Sequence, residues 1–268
     1  MGFFISSLIR GTDHMEELAE WVNTQPIPDL GVELIAFTHD DRYWRRLAGI
    51  LNKIRCPATF HGPYIGVEAT ALPNTKEQEW LFESYERVMR LAHQHGVGHI
   101  VFHYTQKGFQ EEEKTFYQQV SQSNIEILLG MAKQYQISLV IENLPFPQNA
   151  VPLYDNMEYG ELFDRHQAAL SMIDIGHAHM NHMDIEAFLK EHGDRVKAYH
   201  FHNNNGIEDQ HNSVYDGTFS YEAFAGIYRH YTPCADIVLE YEPHTNLANR
   251  DIMEEINRLS KQFAKIRA

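Results

Sequence analysis

The sequence predicts a single (β/α)₈ barrel, and three observations support this prediction. A short apolar segment followed by a longer amphipathic segment recurs eight times along the chain. This alternation of strand and helix predicts a parallel sheet, and eight such strands close into a barrel. The chain has 268 residues, and a barrel of this kind takes about 250. No linker, low-complexity tract or break in composition marks a boundary between domains.

The first four units each combine an apolar strand with a helix of amphipathic pattern. The first strand is apolar from Phe3 to Ile9, and its helix begins near Thr12 or Asp13, either of which can cap it. Acidic residues in the early turns of that helix suit the helix dipole. The predicted strands cover residues 3–9, 32–37, 57–61 and 99–103, and the predicted helices cover residues 12–24, 40–53, 75–95 and 111–134.

The last four units continue the pattern with one longer connection. Residues 137–142 form an almost wholly apolar run, which is typical of a parallel strand buried on both faces. A long loop and a short helix over residues 157–166 follow this strand. The other predicted strands cover residues 168–174, 196–202 and 236–241, and the other predicted helices cover residues 184–191, 221–231 and 249–264.

The composition excludes several classes of protein. Hydrophobic residues make up 43% of the chain and aromatic residues 12%, which is enough for a sizeable core and argues against disorder. The mean hydropathy of −0.44 and the lack of a long apolar run predict no membrane span. A formal net charge of −15 disfavours DNA and anionic membranes as the main partner. Cys56 and Cys234 lie far apart, without metal-binding spacing, which predicts a reducing compartment such as the cytoplasm.

Residues that can bind metal ions follow the predicted strands at their carboxyl ends. In a (β/α)₈ barrel these ends and their loops open on one face, so side chains remote in sequence lie close together. Each of the third to eighth strands ends in such a residue or is followed by one. These residues are His61, His103, Glu142, Asp174 with His177, His200 with His202, Asp209 with His211, and Glu240.

The chemistry of this set indicates a site for divalent cations. Imidazole nitrogens and carboxylate oxygens are the usual ligands of zinc and manganese, and carboxylates also suit magnesium. A charged carboxylate in a barrel mouth is costly unless it is paired or bound to metal. Glu142 and Glu240 each follow an apolar run, which favours a functional role for both.

Several of these residues also have a purely structural interpretation. His61 precedes Gly62 and could belong to a turn, His103 could bond a loop backbone, and Asp174 could cap a helix. Glu33, inside the second strand, could contact a substrate or pair with a lysine in the barrel, and the sequence leaves its role open.

Seven segments resemble the xylose isomerase-like barrel superfamily. That superfamily includes sugar-phosphate isomerases and epimerases, keto-sugar epimerases, hydroxypyruvate isomerase, dehydroshikimate dehydratase and endonuclease IV. The resemblance spans nearly the whole chain in matching order, and it implies the barrel fold and metal binding more strongly than any one substrate. The segments are His61–Tyr64, Val101–His103, Ile141–Asn143, Ile173–His177, His200–Asn203, Asp209–His211 and Leu239–Glu240.

Two patterns within the superfamily match the chain. Epimerase-like members hold one ion through residues that match Glu142, Asp174, His200 and Glu240; the two glutamates move protons, and the counterpart of His177 contacts the substrate. Endonuclease IV holds three zinc ions with a larger ligand set, and every position of that set is filled here. The additional ligands that this second pattern implies are His61, His103, His177, Asp209 and His211.

Residues and resemblance together favour a metal-dependent isomerase or epimerase of a small sugar, sugar phosphate or related hydroxy-ketone. We expect one ion of manganese, cobalt, magnesium or zinc, and the residues are compatible with up to three. The ion would act as Lewis acid and template, while Glu142 or Glu240 takes a proton and the other returns it through an enediolate. The expected substrate contacts are His61, Tyr64, His177 and His202.

Two alternatives remain open at this point. One is phosphodiester hydrolysis at abasic DNA by a three-zinc centre, against which stand the acidic balance of the chain and the few cations in residues 10–12 and 38–41. The other is a barrel that binds a ligand or partner without turnover, which the complete set of carboxylate bases disfavours. Relatives are often dimers or tetramers, so a homo-oligomer is compatible with the resemblance.

Overall fold

The structure is a computed structural model that describes residues 1–264. Eight parallel strands hydrogen-bond in sequential order, and the barrel closes because β1 pairs with both β2 and β8. The predicted (β/α)₈ barrel is therefore confirmed. The strands are β1 (Phe3–Ser6), β2 (Leu30–Ile35), β3 (Ala58–His61), β4 (His99–Phe102), β5 (Ser138–Glu142), β6 (Leu170–Asp174), β7 (Val196–Phe201) and β8 (Asp236–Leu239).

Helices cover the outside of the barrel. Several begin at a polar residue whose side chain accepts hydrogen bonds from the first turn, as Asp40 and Thr75 do for α2 and α3. No helix within residues 1–264 is long and apolar enough to cross a membrane. The helices are α1 (Met15–Asn23), α2 (Asp41–Lys53), α3 (Lys76–His95), α4 (Glu111–Tyr135), α5 (Asn156–Arg165), α6 (Ile175–Met180), α7 (Ile185–His192), α8 (Tyr221–Tyr231) and α9 (Asn249–Phe263).

The interior of the barrel is packed, so it is a core and not a channel. Gly31 on β2 makes room for this packing, because a Cβ atom there would lie 2.5 Å from the ring of Phe4 on β1. The packed interior leaves the carboxyl ends of the strands as the place where polar side chains can gather. The buried apolar residues of this inner cluster are Phe4, Val101, Val140, Met172, Ala198 and Val238.

The first unit differs from its prediction. β1 ends at Ser6, earlier than predicted, because the Ser6 hydroxyl accepts a hydrogen bond from the backbone two residues on and Ser7–Arg10 forms a 3₁₀ helix. A second 3₁₀ turn follows, and α1 begins at Met15 without a side-chain cap. The predicted cap at Thr12 or Asp13 is therefore wrong.

A short helix directly after β6 was not predicted. α6 follows Asp174, whose carboxylate Oδ1 accepts a hydrogen bond from the backbone N–H of His177 at 2.7 Å. Residues 1–264 therefore contain nine α-helices and not eight. The structural interpretation of Asp174 as a helix cap is correct, and its second carboxylate oxygen, Oδ2, lies 3.8 Å from Nδ1 of His200.

Candidate metal centre

The ends of β3 to β8 bring the predicted ligands together, as the parallel barrel requires. His61, Glu142 and Asp174 are the last residues of β3, β5 and β6, and His200 is the penultimate residue of β7. All four are buried, with at most 5% of their surface exposed. Burial of this many polar side chains at one end of the barrel requires that they satisfy one another or a bound ion.

The central group consists of Glu142, Asp174, His200 and Glu240, whose possible ligand atoms all lie within 4.8 Å of one another. The Nδ1 atom of His200 lies 2.8 Å from Oε1 of Glu142, 3.4 Å from Oε2 of Glu240 and 3.8 Å from Oδ2 of Asp174. Three carboxylates and one imidazole fit a divalent cation, because such mixed oxygen and nitrogen sets bind manganese, cobalt, zinc and magnesium.

A second group adjoins the first and shares Glu142 with it. This group contains His61, His103 and Glu142. The Nε2 atom of His103 lies 2.6 Å from Oε2 of Glu142, and Nε2 of His61 lies 3.9 Å from the same oxygen. Glu142 therefore directs Oε1 towards His200 and Oε2 towards His103, and this carboxylate would belong to the ligand set of a cation held by either group.

A third group adjoins the central one through Asp174 and Glu240. It contains His177, His202, Asp209 and His211. Oδ2 of Asp209 is 3.1 Å from Nε2 of His177 and 3.3 Å from Nε2 of His211. The Nδ1 atoms of both histidines lie 2.9 Å from backbone carbonyl oxygens, those of Asn143 and Glu240. These hydrogen bonds direct both Nε2 atoms towards Asp209, as in metal sites where the second ring nitrogen is held by a carbonyl.

Two buried side chains hold Asp174 in place. His202 Nε2 lies 3.0 Å from each carboxylate oxygen of Asp174. The Asn143 side chain bridges β5 and β6, since its Oδ1 accepts from the Asp174 N–H and its Nδ2 donates to the Asp174 carbonyl. His202 is fully buried and does not line the cavity described below, a position that does not favour its predicted contact with substrate.

The role of Glu33, which the sequence left open, follows from its contacts. Its carboxylate is fully buried and lies 3.0 Å from Nε2 of His200 and 3.3 Å from Oγ1 of Thr59. It therefore pairs with a histidine of the central group and not with a lysine. No pattern in the sequence indicates this contact, because Glu33 and His200 are separated by 167 residues.

Burial and neighbouring charges shift the pKa values of the two central glutamates in opposite directions. Burial alone would raise the pKa of Glu142, but His200 and His103 hold it well below its ordinary value. Burial also raises the pKa of Glu240, to about 8, and the nearby carboxylates of Glu142 and Asp174 reinforce this. The two glutamates thus occupy different electrostatic environments within one group.

The third group is electrostatically a network of ion pairs. Burial would raise the pKa of Asp209, but His177 and His211 hold it well below its ordinary value. Burial opposes protonation of both histidines, yet their carboxylate neighbours raise the pKa of His177 well above its ordinary value and that of His211 to about 9.

The second group behaves differently, because burial lowers the pKa of His61 to about 4.

A cavity of about 520 Å³ opens directly onto these groups. Glu142, Glu240 and His177 lie at its polar end. Tyr64 also lines it, with its ring centroid 5.0 Å from that of His61. The loops after β4 and β5 supply most of the apolar lining, which includes Tyr104, Leu144, Pro145, Phe146, Pro147 and Leu153. The cavity has the volume of a pocket for a small molecule.

A comparison with protein families identifies the same barrel fold as the structure. A family model described as the xylose isomerase-like TIM barrel matches residues 21–262. The chain belongs to the xylose isomerase-like TIM-barrel family. No curated protein matches the sequence significantly.

Solved structures similar to this xylose isomerase-like barrel include several sugar epimerases. A D-tagatose 3-epimerase-like protein is 18% identical, with a TM-score of 0.78 over 98% of this chain and 97% of that chain. The 3-keto-D-glucoside 4-epimerase YcjR from E. coli is 11% identical, with a TM-score of 0.75 over 97% and 99% of the two chains. The IOLI protein with a bound zinc atom is 14% identical, with a TM-score of 0.73 over 98% of each chain. At these identities the likeness establishes the common fold.

Proposed function

We propose that the protein is a divalent-metal-dependent isomerase or epimerase of a small sugar, sugar phosphate or related hydroxy-ketone. The observation that carries this proposal is the central group of three carboxylates and one imidazole at the end of a cavity for a small molecule. Membership of the xylose isomerase-like family supports it, as do the sugar epimerases among the similar structures. The two free cysteines, Cys56 and Cys234, suit a cytoplasmic protein.

The reaction would depend on proton transfer by two glutamates. Glu142 and Glu240 both line the cavity and both lie next to Nδ1 of His200. One carboxylate removes the proton from the carbon beside the substrate carbonyl, the electron pair moves onto the carbonyl oxygen, and an enediolate forms. The other glutamate, in its protonated form, then gives a proton to carbon, and the electron pair on oxygen re-forms the carbonyl group. A cation bound by the central group would polarise that carbonyl as a Lewis acid.

Residues at the rim of the group would orient the substrate. Tyr64 packs against His61 and His103, with ring centroids 5.0 Å and 5.4 Å apart, so its position in the cavity is fixed. His177 is held by its backbone contact to Asn143. A sugar hydroxyl that reaches His177 or Tyr64 would meet groups that are already positioned, which lowers the entropic cost of binding.

The Glu142→Gln variant tests the proposal. It keeps the size of the side chain but removes the base, so exchange of solvent deuterium into a panel of ketoses and ketose phosphates should fall by about 10³-fold. The matched control is Glu242→Gln, because Glu242 lines the same cavity but belongs to none of the three groups. It should exchange at the wild-type rate. Undiminished exchange in Glu142→Gln would remove that residue from the mechanism.

A second candidate function is supported by the presence of three adjoining ligand groups, where a single ion needs only one. The complete set also suits a three-zinc phosphodiesterase that acts on abasic DNA, in which a cation activates water. The net charge of −15 disfavours binding of DNA. The cavity lining also disfavours it, because within residues 1–264 the only lysine or arginine that lines the cavity is Lys107. The small-sugar reaction therefore leads.

Metal content and nicking separate the two candidates. For the nuclease, elemental mass spectrometry should find three zinc ions per chain, and nicking of an abasic duplex should disappear in His103→Ala. The control is His93→Ala, since His93 is exposed in the last turn of α3. This turn leads to the amino end of β4, whereas the ligand groups lie at the carboxyl ends of the strands. A zinc-loaded protein that leaves the duplex intact would eliminate this candidate.

A further inference from the structure

Glu33 is a buried carboxylate that no step of the proposed reaction uses. It lies within β2, is fully buried, and does not line the cavity, so it cannot reach a substrate directly. Among the described residues its only ion-pair contact is with His200. Burial of a carboxylate costs free energy unless its partners compensate it, and an apolar side chain would fill the same space without that cost. The partner of Glu33 is therefore the place to look for its role.

His200 uses its two ring nitrogens for two different purposes. Nε2 lies 3.0 Å from Oε1 of Glu33, whereas Nδ1 faces the central group and lies 2.8 Å from Oε1 of Glu142. The imidazole ring is rigid, so a hydrogen bond that fixes Nε2 also fixes the direction in which Nδ1 points. His200 has a carboxylate at each ring nitrogen, and a carboxylate can only accept a hydrogen bond. If a cation takes the place of the proton on Nδ1, the hydrogen bond from Nε2–H to Glu33 would keep the remaining proton on Nε2 and leave the Nδ1 lone pair facing the central group.

We propose that Glu33 is a positioning residue that holds His200 in the Nε2–H tautomer with Nδ1 directed into the central group. Thr59 on β3 assists, because its hydroxyl donates to the other oxygen of Glu33, Oε2, at 3.3 Å. Two consecutive hydrogen bonds thus connect Thr59 on β3 to Glu33 on β2 and Glu33 to His200 on β7. Glu33 prepares a metal ligand without itself touching cation or substrate, as carboxylates behind histidine ligands do in other metal sites.

This inference rests on the proposed metal site but not on the identity of the sugar. Its readout is therefore metal affinity, measured by competition with a chromophoric chelator for zinc and for manganese. Glu33→Gln should bind either ion about 10–100-fold more weakly than the wild type. The control is Glu255→Gln. Glu255 is a half-buried carboxylate that accepts hydrogen bonds from the hydroxyls of Ser213 and Tyr241, and it lies outside the three groups. It should retain wild-type affinity.

Circular dichroism and thermal unfolding of the chelated variant establish that it folds. A folded Glu33→Gln protein that binds zinc as tightly as the wild type overturns the proposal. A wild-type protein that binds neither ion would instead overturn the metal site itself, so the two failures are distinguishable.

A measurement on the wild type covers the case in which Glu33→Gln does not fold. Long-range ¹H–¹⁵N spectra of the zinc-loaded protein identify the tautomer of each histidine, and the His200 signal is assigned by its loss in His200→Asn. A proton on Nε2 of His200 supports the proposal. A proton on Nδ1 overturns it, because that nitrogen could not then direct a lone pair towards the central group.

Discussion

His99 is a buried histidine that belongs to none of the three ligand groups. It begins β4, is fully buried, and neither of its ring nitrogens has a hydrogen-bond partner within residues 1–264. Burial lowers its pKa to about 4; Glu33 and Asp236 oppose this shift, and Lys197 and His200 add to it. The folded protein therefore keeps His99 neutral under conditions in which an unfolded histidine is charged.

We expect His99→Leu to flatten the acid side of the stability profile. An unfolded histidine has a pKa near 6.5, so between that value and about 4 the unfolded chain binds a proton that the folded chain does not. Protonation linked to His99 alone should cost the wild type about 3 kcal/mol of unfolding free energy as the pH falls through this window. Urea unfolding at several pH values measures this. The exposed His93→Leu control should keep the wild-type slope, and an unchanged slope in His99→Leu would contradict the expectation.

At the scale of elements, the close packing of Gly176 in α6 against His202 affects the geometry of the site. A Cβ atom at Gly176, in the first turn of α6, would lie 2.0 Å from Cε1 of His202. The ring of His202 would have to move, and with it the contact that holds both oxygens of Asp174. Only glycine allows this helix to start so close to the buried imidazole.

Gly176→Ala should therefore weaken metal binding and destabilise the fold by about 1–3 kcal/mol, the usual cost of overpacking. Gly226→Ala is the matched control, since Gly226 lies within α8 and a Cβ atom there would meet nothing within 4 Å. That control should gain roughly 0.5–1 kcal/mol, as glycine-to-alanine changes within helices do. Chelator competition and thermal unfolding of the two variants test the pair, and equal metal affinity in both would refute a role for the close packing.

The strands could be predicted from sequence because each of them is buried on both faces. Ser138–Glu142, for example, combines four nonpolar or small residues with a terminal carboxylate, and a parallel barrel carries such a terminus to one common face. α6 could not be predicted, because it starts on Asp174 itself and is only six residues long. The contact between Glu33 and His200 was equally hidden, since periodicity reports which face a residue takes but not which distant residue it meets.

At the scale of the whole molecule, the carboxyl end of the barrel gathers carboxylate side chains in a protein that is already acidic. The formal net charge is −15. Four buried carboxylates, from β2, β5, β6 and the end of β8, gather around His200. Any cation bound there would contact side chains from separate strands that only the closed barrel brings together, so binding should be specific to the folded state.

Metal binding should therefore raise the thermal stability of the folded chain. A ligand at one hundred times its Kd stabilises the folded state by about 2.7 kcal/mol, which for a domain of this size corresponds to a rise in Tm of about 5–10 °C. Scanning calorimetry with and without manganese or zinc, and after removal of the metal by chelator, measures the change.

The chelated protein should keep its far-ultraviolet dichroism, because the packed interior of Phe4, Val101 and Val140 lies apart from the ligand groups. In Glu142→Gln the rise should largely vanish, since this residue belongs to two of the three groups. The same rise in that variant would mean that the stabilising ions bind elsewhere on the protein.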